Sequence, residues 1–325
     1  MTDQVSPASR ILRVAAAHAA PVYLDTEASI DKACRLIEQA GAQQISLLVF
    51  PEVFVPGFPH WINCYPPLVQ APLNVEYARA SITVPGPLTE RVCKAAAAAG
   101  CAVVLGVSER DGGTCYNTQV YIDLDGTYLG KHRKLQPTYA ERYIWGQGDG
   151  STLRVFDSHA GRIGGLACWE HTMNLARQAL IAQHIQIHCG SWPALATLAG
   201  FGHQFDDQVE AMSRAHALTG QCFVIVAQDT VTDEMLELMA DRLGPQQLVG
   251  SGGGWSSIIH PWGHFLAGPH TGAKETLVAA DIDLGEIDQV KAFVDGAGHY
   301  SRPEILRLMI DDQPKRPLER TSETD

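Results

Sequence analysis

Residues 45–52 read ISLLVFPE, an apolar run that ends in a proline and a glutamate. An uncharged run of this length is typical of a strand that is buried on both faces of a sheet. Pro51 breaks the run, because proline has no backbone N–H to donate to a neighbouring strand. Glu52 is therefore expected just beyond the end of a buried strand.

The residues before this run complete a strand–helix–strand unit. Residues 13–20 are apolar and predict a short strand, and Asp25 or Thr26 can cap the helix that follows. Apolar residues recur at helical spacing in that segment, and Gly41 is expected to end the helix. The three elements predict one β-α-β unit.

The residues after this run predict a further helix and then hairpin strands. A second helix is predicted over residues 87–100, followed by the strand CAVVLGVSE at 101–109. Asp-Gly at 125–126 is a turn signal between the strand-like runs TCYNTQVYID at 114–123 and TYLGKHRK at 127–134. Hairpin strands beside a β-α-β unit indicate mixed rather than purely parallel sheets.

The second half of the chain repeats the alternation of strands and helices. Strands are predicted at RIGGLAC (162–168), IQIHCG (185–190) and CFVIVAQ (222–228). Helices are predicted through LARQALIAQ (175–183) and from about residue 206 to 218. Two halves of similar pattern indicate one large α/β protein.

Four segments rich in proline, glycine or aromatic residues interrupt this pattern. They are better suited to binding loops than to linkers, because they lie between predicted strands and helices. These predicted loops are residues 55–74, 136–151, 191–203 and 243–254.

Chain length and composition limit the domain organisation. The chain has 325 residues, 46% of them hydrophobic, which is enough to build a full core near the upper size of one domain. We predict a single domain over residues 1–310. The last residues, 311–325, are polar and are predicted to be a mobile tail.

The charge disfavours several classes of partner. The formal net charge is −12, with 24 Lys and Arg against 36 Asp and Glu, so binding to a phosphate backbone is not expected. The chain lacks a run of about 20 apolar residues, and its polar start does not look like a signal peptide. A cytoplasmic protein that binds neither nucleic acid nor membrane is expected.

The eight cysteines are scattered, with no CxxC pair and no dense cluster. A disulfide framework is not indicated, and most of these thiols are expected to be small buried side chains. A metal site is also disfavoured. Cys168 with His171, and His188 with Cys189, have no partner pair at zinc-like spacing.

Three reactive side chains are expected at strand ends. Glu52 follows a strand, Lys134 ends a strand-like run, and Cys168 lies where a strand gives way to a helix. Strand ends are where α/β proteins gather their sites. A thiol must lose its proton to become a strong nucleophile, so Cys168 needs a base and a nearby cation. Glu52 and Lys134 can meet these needs.

Three segments, in this order, resemble the nitrilase superfamily of carbon–nitrogen hydrolases. They are LLVFPEVFVPGFP (47–59), GKHRKLQPTYAERYIWGQGDGS (130–151) and GGLACWEH (164–171). The resemblance extends over almost the whole chain, and the second segment is more similar to true nitrilases than to the amidase and carbamoylase branches. It implies a four-layer α-β-β-α sandwich with two mixed sheets, no cofactor and no metal.

The resemblance also implies roles for single residues. Cys168 would be the nucleophile, Glu52 the general base, Lys134 the cation that stabilises the tetrahedral species, and Glu141 a second carboxylate beside the site. It further implies homodimers and larger or spiral oligomers, formed through the helical face. The residues predicted to contact substrate are Trp169, Trp192, Pro193, Phe58 and His60.

Each of these residues also has an ordinary structural interpretation. Cys168 could be a core cysteine, and Glu52 and Lys134 could be solvated charges on loops. Glu141 could form an ion pair with the neighbouring Arg142. Phe58 and the tryptophans could be ordinary packing residues.

The expected reaction is hydrolysis of an organic nitrile to a carboxylic acid and ammonia, through a thioimidate and a thioester on Cys168. An amidase or a cyanide dihydratase of the same superfamily is the nearest alternative. A non-catalytic assembly or binding protein of this fold is the alternative from another class. Whether the nitrile is arylacetic, aromatic or aliphatic stays open, because loops decide the shape of the pocket.

Overall fold

The computed structural model describes residues 10–315, which form two six-stranded sheets. The first sheet has the strand order β12-β1-β2-β3-β4-β5, in which β1, β2 and β3 run parallel and the outer strands antiparallel. Its strands are β1 (Ile11–His18), β2 (Leu47–Val49), β3 (Ala102–Asp111), β4 (Thr114–Ile122), β5 (Tyr128–Arg133) and β12 (Thr276–Asp283).

The second sheet repeats this plan, with a parallel centre and antiparallel edges in the order β11-β10-β9-β8-β7-β6. The prediction of mixed sheets is confirmed. The strands are β6 (Phe156–Ser158), β7 (Gly161–Ala167), β8 (Ile187–Trp192), β9 (Phe223–Gln228), β10 (Trp255–Ile259) and β11 (Phe265–Thr271).

Helices cover the outer faces of both sheets. Within residues 10–315, none of them is long and apolar enough to cross a membrane. The helices are α1 (Thr26–Ala42), α2 (Pro67–Ala80), α3 (Pro87–Ala99), α4 (Asn174–Ala182), α5 (His203–Gly220), α6 (Asp233–Leu243) and α7 (Gly285–Lys291).

Alternating side chains on the strands build the layers. On β1, Val14 and Ala16 belong to a core that contains Ile225 and Ala227 of the second sheet. Their neighbour Ala15 points the other way and shares a core with α1 and α3. Successive side chains of a strand point to opposite faces of its sheet, so apolar residues at consecutive positions of a strand bury both faces. The predicted four-layer α-β-β-α sandwich is thereby confirmed.

Two predictions about helices were wrong. Gly41 does not end α1, which continues to Ala42. A Cβ at Gly41 would lie 2.7 Å from the carbonyl oxygen of Ala99, so glycine serves the close contact between α1 and α3. The other error concerns residues 55–74, which were predicted to be a loop although their second half belongs to α2.

Helix α2 escaped prediction because its apolar residues do not lie on one face. Gln70 is buried whereas Leu68 and Val75 are exposed, which is the reverse of an amphipathic pattern. Pro67 stands at the first helical position, where proline is tolerated, but Pro72 lies inside the helix. Local sequence signals therefore favoured a loop.

The predicted boundary at residue 310 falls in a segment without regular structure. Residues 311–315 contact the turn near Asp149, where the backbone N–H of Lys315 donates to Asp149 Oδ2 at 2.7 Å. The rest of the predicted tail, residues 316–325, lies outside the described residues. The single-domain boundary at residue 310 stays a prediction.

Candidate active site

Three buried reactive side chains meet where strands of the two sheets end. Glu52 follows β2 and Lys134 follows β5, both in the first sheet, whereas Cys168 follows β7 in the second. Gly106 on β3 lets the Glu52 turn lie close to the sheet. A Cβ there would lie 2.2 Å from the Pro51 carbonyl oxygen. The site exists only because the two sheets pack together.

A buried ion cluster connects two carboxylates through one ammonium group. Lys134 Nζ donates to Glu52 Oε1 at 2.8 Å and to Glu141 Oε2 at 2.7 Å. Asn117 Nδ2 also donates to Glu52 Oε1, at 2.5 Å, and the Thr138 backbone N–H donates to Glu141 Oε2 at 2.9 Å. Glu141 therefore pairs with Lys134 and not with Arg142, which resolves the alternative left open by the sequence.

The cluster sets the protonation of its members. Burial raises the pKa of Glu52 to about 7, although the charge of Lys134 opposes this rise. Burial alone would lower the pKa of Lys134, but the carboxylates of Glu141 and Glu52 raise it above its ordinary value. Lys134 therefore stays charged at neutral pH, and Glu52 can both lose and take up a proton there.

Cys168 has an unusual backbone conformation. Its φ angle is +49°, a left-handed value that costs a non-glycine residue about 1–3 kcal/mol. Burial and the nearby Glu52 carboxylate raise the pKa of Cys168, while Lys134 and a hydrogen bond from the Trp169 backbone N–H act in the opposite direction. The thiol is therefore protonated at rest and would need a base to act as a nucleophile.

Glu170 connects the Lys134 segment to the Cys168 turn. Its Oε1 accepts from the Leu135 backbone N–H at 2.8 Å, and its Oε2 accepts from the Ala167 backbone N–H at 2.9 Å. His132 Nε2 lies 3.0 and 3.1 Å from the two oxygens. These contacts fix the residues after Lys134 relative to the residue before Cys168.

Sequence reasoning missed Glu170, His132 and Asn117. Glu170 carried only half of a signal, because its carboxylate accepts from the Ala167 backbone N–H as in a capping box, whereas Ala167 has no side-chain oxygen to complete the pattern. His132 and Asn117 lie on β5 and β4 with no local signal of their own. Their contacts depend on how the strands pair.

A cavity of about 350 Å³ opens beside the ion cluster. Of the predicted substrate-contacting residues, Phe58 and Trp169 line it, together with Glu141. Most of the remaining surface is apolar, so the cavity suits an uncharged organic group. The other lining residues are Asn63, Thr138, Tyr139, Leu195, Leu198, Ala199, Phe201 and Leu248.

Trp192, Pro193 and His60 do not line this cavity. Trp192 is fully buried and stacks on His171, with ring centroids 4.6 Å apart. The carbonyl of Pro193 accepts a hydrogen bond from the Gln228 side chain, and His60 is buried beside the Phe58 ring. Their role in substrate binding stays a prediction that the observed positions do not support.

No group of three or more His, Cys, Asp or Glu side chains in residues 10–315 has the arrangement of a metal site. His171 and His188, which the sequence had paired with Cys168 and Cys189, instead face each other. Their Nε2 atoms are 2.8 Å apart.

Comparisons with known proteins show the family of this chain. The sequence model of the carbon–nitrogen hydrolase family matches residues 13–292, so the chain belongs to that family. It is 39% identical to a nitrilase of Paraburkholderia phymatum, over 98% of this chain and 90% of that protein. It is 40% identical to an aliphatic nitrilase of Rhodococcus rhodochrous, over 94% of this chain and 84% of that protein. The prediction of a nitrilase-type hydrolase acting on carbon–nitrogen bonds is confirmed.

Solved structures bear on the fold alone, because their sequence identity to this chain is low. A carbon–nitrogen hydrolase from Helicobacter pylori G27 superposes with a TM-score of 0.71 at 17% identity, over 92% of this chain and all of that one. Nit3 of Saccharomyces cerevisiae superposes with a TM-score of 0.68 at 17% identity, over 88% of this chain and 94% of that one. Both support the four-layer sandwich.

The Glu170–His132 pair generates a stability prediction. We expect Glu170→Gln to lower the free energy of unfolding by about 2–3 kcal/mol, because an amide offers one acceptor oxygen to three buried donors. Urea denaturation of both proteins would measure the difference. Glu27→Gln, which changes an exposed partner of Arg91, is the matched control and should change it by less than about 1 kcal/mol.

The difference should also depend on pH. Burial alone would raise the pKa of Glu170, but His132 and the backbone donors lower it. The ionised Glu170 therefore stabilises the fold above pH 4.5, the ordinary pKa of a glutamate, and this stabilisation is lost on acidification. Burial alone would lower the pKa of His132, but Glu170 raises it above its ordinary value of 6.5. The stabilisation of the fold by protonated His132 is therefore lost as the pH rises beyond 6.5. A difference that is the same at pH 4, 6 and 9 would contradict the pairing.

Proposed function

We propose that the protein hydrolyses an organic nitrile to the carboxylic acid and ammonia, with Cys168 as nucleophile and Glu52 as general base. The observation that carries this proposal is the buried cluster beside Cys168, in which Lys134 Nζ binds Glu52 and Glu141. Glu52 Oε2 accepts no hydrogen bond from the described residues. That oxygen is available to take the thiol proton.

In the first step, Sγ of Cys168 attacks the nitrile carbon as Glu52 takes the thiol proton. One π bond of the nitrile breaks, and the proton passes from Glu52 to nitrogen to give a thioimidate. Lys134 and the Trp169 backbone N–H stabilise the negative charge that develops on nitrogen. A general base is required because the pKa of Cys168 is raised by burial.

In the second step, a water molecule adds to the thioimidate carbon while Glu52 takes one of its protons. The tetrahedral species carries sulfur, oxygen and nitrogen on one carbon. Glu52 passes that proton to the nitrogen and then transfers the proton of the new hydroxyl group to it as well. The carbon–nitrogen bond breaks as the carbonyl forms, so ammonia leaves and a thioester remains. Glu141, held 2.7 Å from Lys134, keeps the ammonium group charged and oriented.

A second water then attacks the thioester, again with Glu52 as the base. The carbon–sulfur bond breaks, the acid leaves, and the thiolate recovers its proton from Glu52. Breakage of the carbon–sulfur bond in the earlier tetrahedral species would release the amide instead. The ratio of acid to amide therefore reports which bond breaks first.

Substrate chemistry distinguishes the alternatives within the family. A nitrilase releases ammonia from a nitrile but not from the matching amide, whereas an amidase does the reverse. A cyanide dihydratase would convert cyanide to formate and ammonia. The apolar cavity favours an organic nitrile over cyanide, because its volume far exceeds that of a diatomic anion. A non-catalytic assembly protein is disfavoured by retention of Glu52, Lys134 and Cys168.

The cellular location is also a proposal. All eight cysteines are free thiols, including five that are buried. Free thiols persist in reducing compartments, so we favour the cytoplasm.

We expect Cys168→Ala to abolish nitrile hydrolysis, because no other group can form the thioimidate. Lys134→Ala should lower kcat by at least about 10²-fold, as the loss of a donor to a developing anion does. Ammonia release and product analysis over a panel of nitriles and their amides measure both. Cys189→Ala, a buried cysteine on β8, is the matched control and should retain normal turnover. Normal turnover by folded Cys168→Ala would refute the mechanism.

The pH profile of kcat/KM should show a decrease at acidic pH that is set by the protonation of Glu52. Because Glu52 accepts a proton only when ionised and its pKa is raised to about 7, kcat/KM should fall as pH decreases below about 7. Nitriles do not ionise in this range, so the decrease belongs to the enzyme. Circular dichroism at each pH is the control for unfolding. A flat profile between pH 5 and 8 would argue against Glu52 as the base.

We also propose that the protein forms homodimers and larger or spiral oligomers through its helical face. Trp262 and Leu218 are about half exposed beside Arg214 and line a shallow depression of about 540 Å³ on α5. Phe293, 72% exposed, contacts the Trp262 ring and adds apolar surface beside this depression, which Asp207 and Glu210 also line. A patch of this kind is typical of an interaction surface.

Sedimentation velocity tests the assembly. The wild-type chain should sediment as a multiple of its 35.2 kDa mass, and Trp262→Glu should shift it towards smaller species, because the added charge would be buried in the interface. Leu68→Glu, at an exposed apolar position of α2, is the matched control and should leave the distribution unchanged. A wild-type monomer at micromolar concentration would contradict the proposal.

A further inference from the structure

A buried histidine contacts the backbone of the nucleophile. His171 Nδ1 lies 2.6 Å from the carbonyl oxygen of Cys168, and both residues are fully buried. A carbonyl oxygen only accepts, so Nδ1 must carry the hydrogen. His171 is therefore a donor to the peptide group that joins Cys168 to Trp169.

A second histidine fixes the tautomer of the first. With its hydrogen on Nδ1, neutral His171 has a bare Nε2, and this atom lies 2.8 Å from Nε2 of His188. His188 Nε2 must therefore carry a hydrogen and donate it to His171. Burial lowers the pKa of His171 to about 4 and that of His188 well below its ordinary value, so both rings are neutral at neutral pH.

Neighbouring rings hold this pair in place. Trp192 stacks on His171 with an interplanar angle of 18°, and His216 packs against His188 with ring centroids 4.1 Å apart. His188 and Trp192 both lie on β8, the strand next to β7. The His171 ring belongs to the same turn as Cys168, and side chains of the sheet hold it in place.

The contact determines where the Trp169 N–H points. A trans peptide is planar, so its C=O and N–H point in opposite directions. Holding the Cys168 carbonyl towards His171 turns the Trp169 N–H to the other side of the peptide, and this N–H lowers the pKa of the Cys168 thiol against the effect of burial. A hydrogen bond received by the carbonyl also polarises the peptide and strengthens its N–H as a donor.

We infer that His171 and His188 are positioning residues that aim and polarise the Trp169 backbone N–H towards the reacting atoms. Neither ring lines the cavity beside the ion cluster. The inference rests on the proposed function, in which that N–H stabilises negative charge on nitrogen. It assigns the buried histidines a role in turnover beyond filling the core.

Four single variants and one double variant test the inference in the full-length protein. His171→Leu removes the donor and should lower kcat about 10- to 100-fold, with KM changed by less than about threefold, because a misdirected donor affects the transition state most. His171→Asn keeps a donor near the Nδ1 position and should recover most of the loss. His184→Asn makes the same exchange at an exposed position and should behave as wild type.

The fourth measurement is a coupling test between the two histidines. His188→Leu should lower kcat severalfold in the wild-type chain but have no further effect beside His171→Asn, because that asparagine no longer receives the hydrogen from His188. Rates are expressed per active site, counted from the ammonia burst. Equal effects of His188→Leu in both backgrounds would reduce the pair to a packing role and overturn the inference.

A readout without substrate separates this inference from the proposed function. The Trp169 N–H stabilises the Cys168 thiolate, so His171→Leu should slow alkylation of Cys168 by iodoacetamide about 3- to 10-fold at pH 7, while His171→Asn should not. Mass spectrometry of the Cys168 peptide measures the rate. Unchanged alkylation in His171→Leu would overturn the inference even if nitriles are hydrolysed. A slower alkylation of Cys168 in His171→Leu would support the inference even if the protein hydrolyses no nitrile.

Discussion

The ammonium group of Lys134 lies buried between the carboxylates of Glu52 and Glu141, and the rest of the site depends on this arrangement. Charges removed from water are stable only when partners replace the lost hydration. Burial is the main reason why the pKa of Glu52 is raised, with the Glu141 carboxylate adding to the rise and the charge of Lys134 opposing it. Burial likewise raises the pKa of the neighbouring Cys168 thiol, with the Glu52 carboxylate adding to the rise, so the thiol stays in its neutral form.

The packing of two sheets brings these groups together. Glu52 and Lys134 end strands of the first sheet and Cys168 ends a strand of the second, so no single β-α-β unit contains the site. Hydrogen bonds join the sheets at this point. Ser191 Oγ, on β8, donates to the Phe50 carbonyl at 2.9 Å, two residues before Glu52. Glu170 joins the Cys168 turn to the Lys134 segment. The polar contacts between the sheets therefore set the geometry of the reaction.

Much of the fold could be predicted from local pattern, and the failures have local causes. The strands around Glu52 and Cys168 were predicted because an apolar run ending in a proline or a polar turn has few other interpretations. Helix α2 was missed because Leu68 is exposed and Gln70 is buried, so its burial follows tertiary contacts and not sequence period. Trp192 was expected at the pocket because it follows an apolar run, yet it stacks on His171 beneath the Cys168 turn.

The sequence by itself predicted the layered α/β fold and the family, and it singled out the candidate reactive residues. Alternating apolar strands and three ordered motifs carry that information without reference to distance. Only the tertiary structure decided which groups touch. It paired Glu141 with Lys134 and not with its neighbour Arg142, and it directed His171 to the Cys168 carbonyl. Hydrogen bonds act over about 3 Å, and that proximity arises from strand register and sheet packing, which no local stretch of sequence encodes.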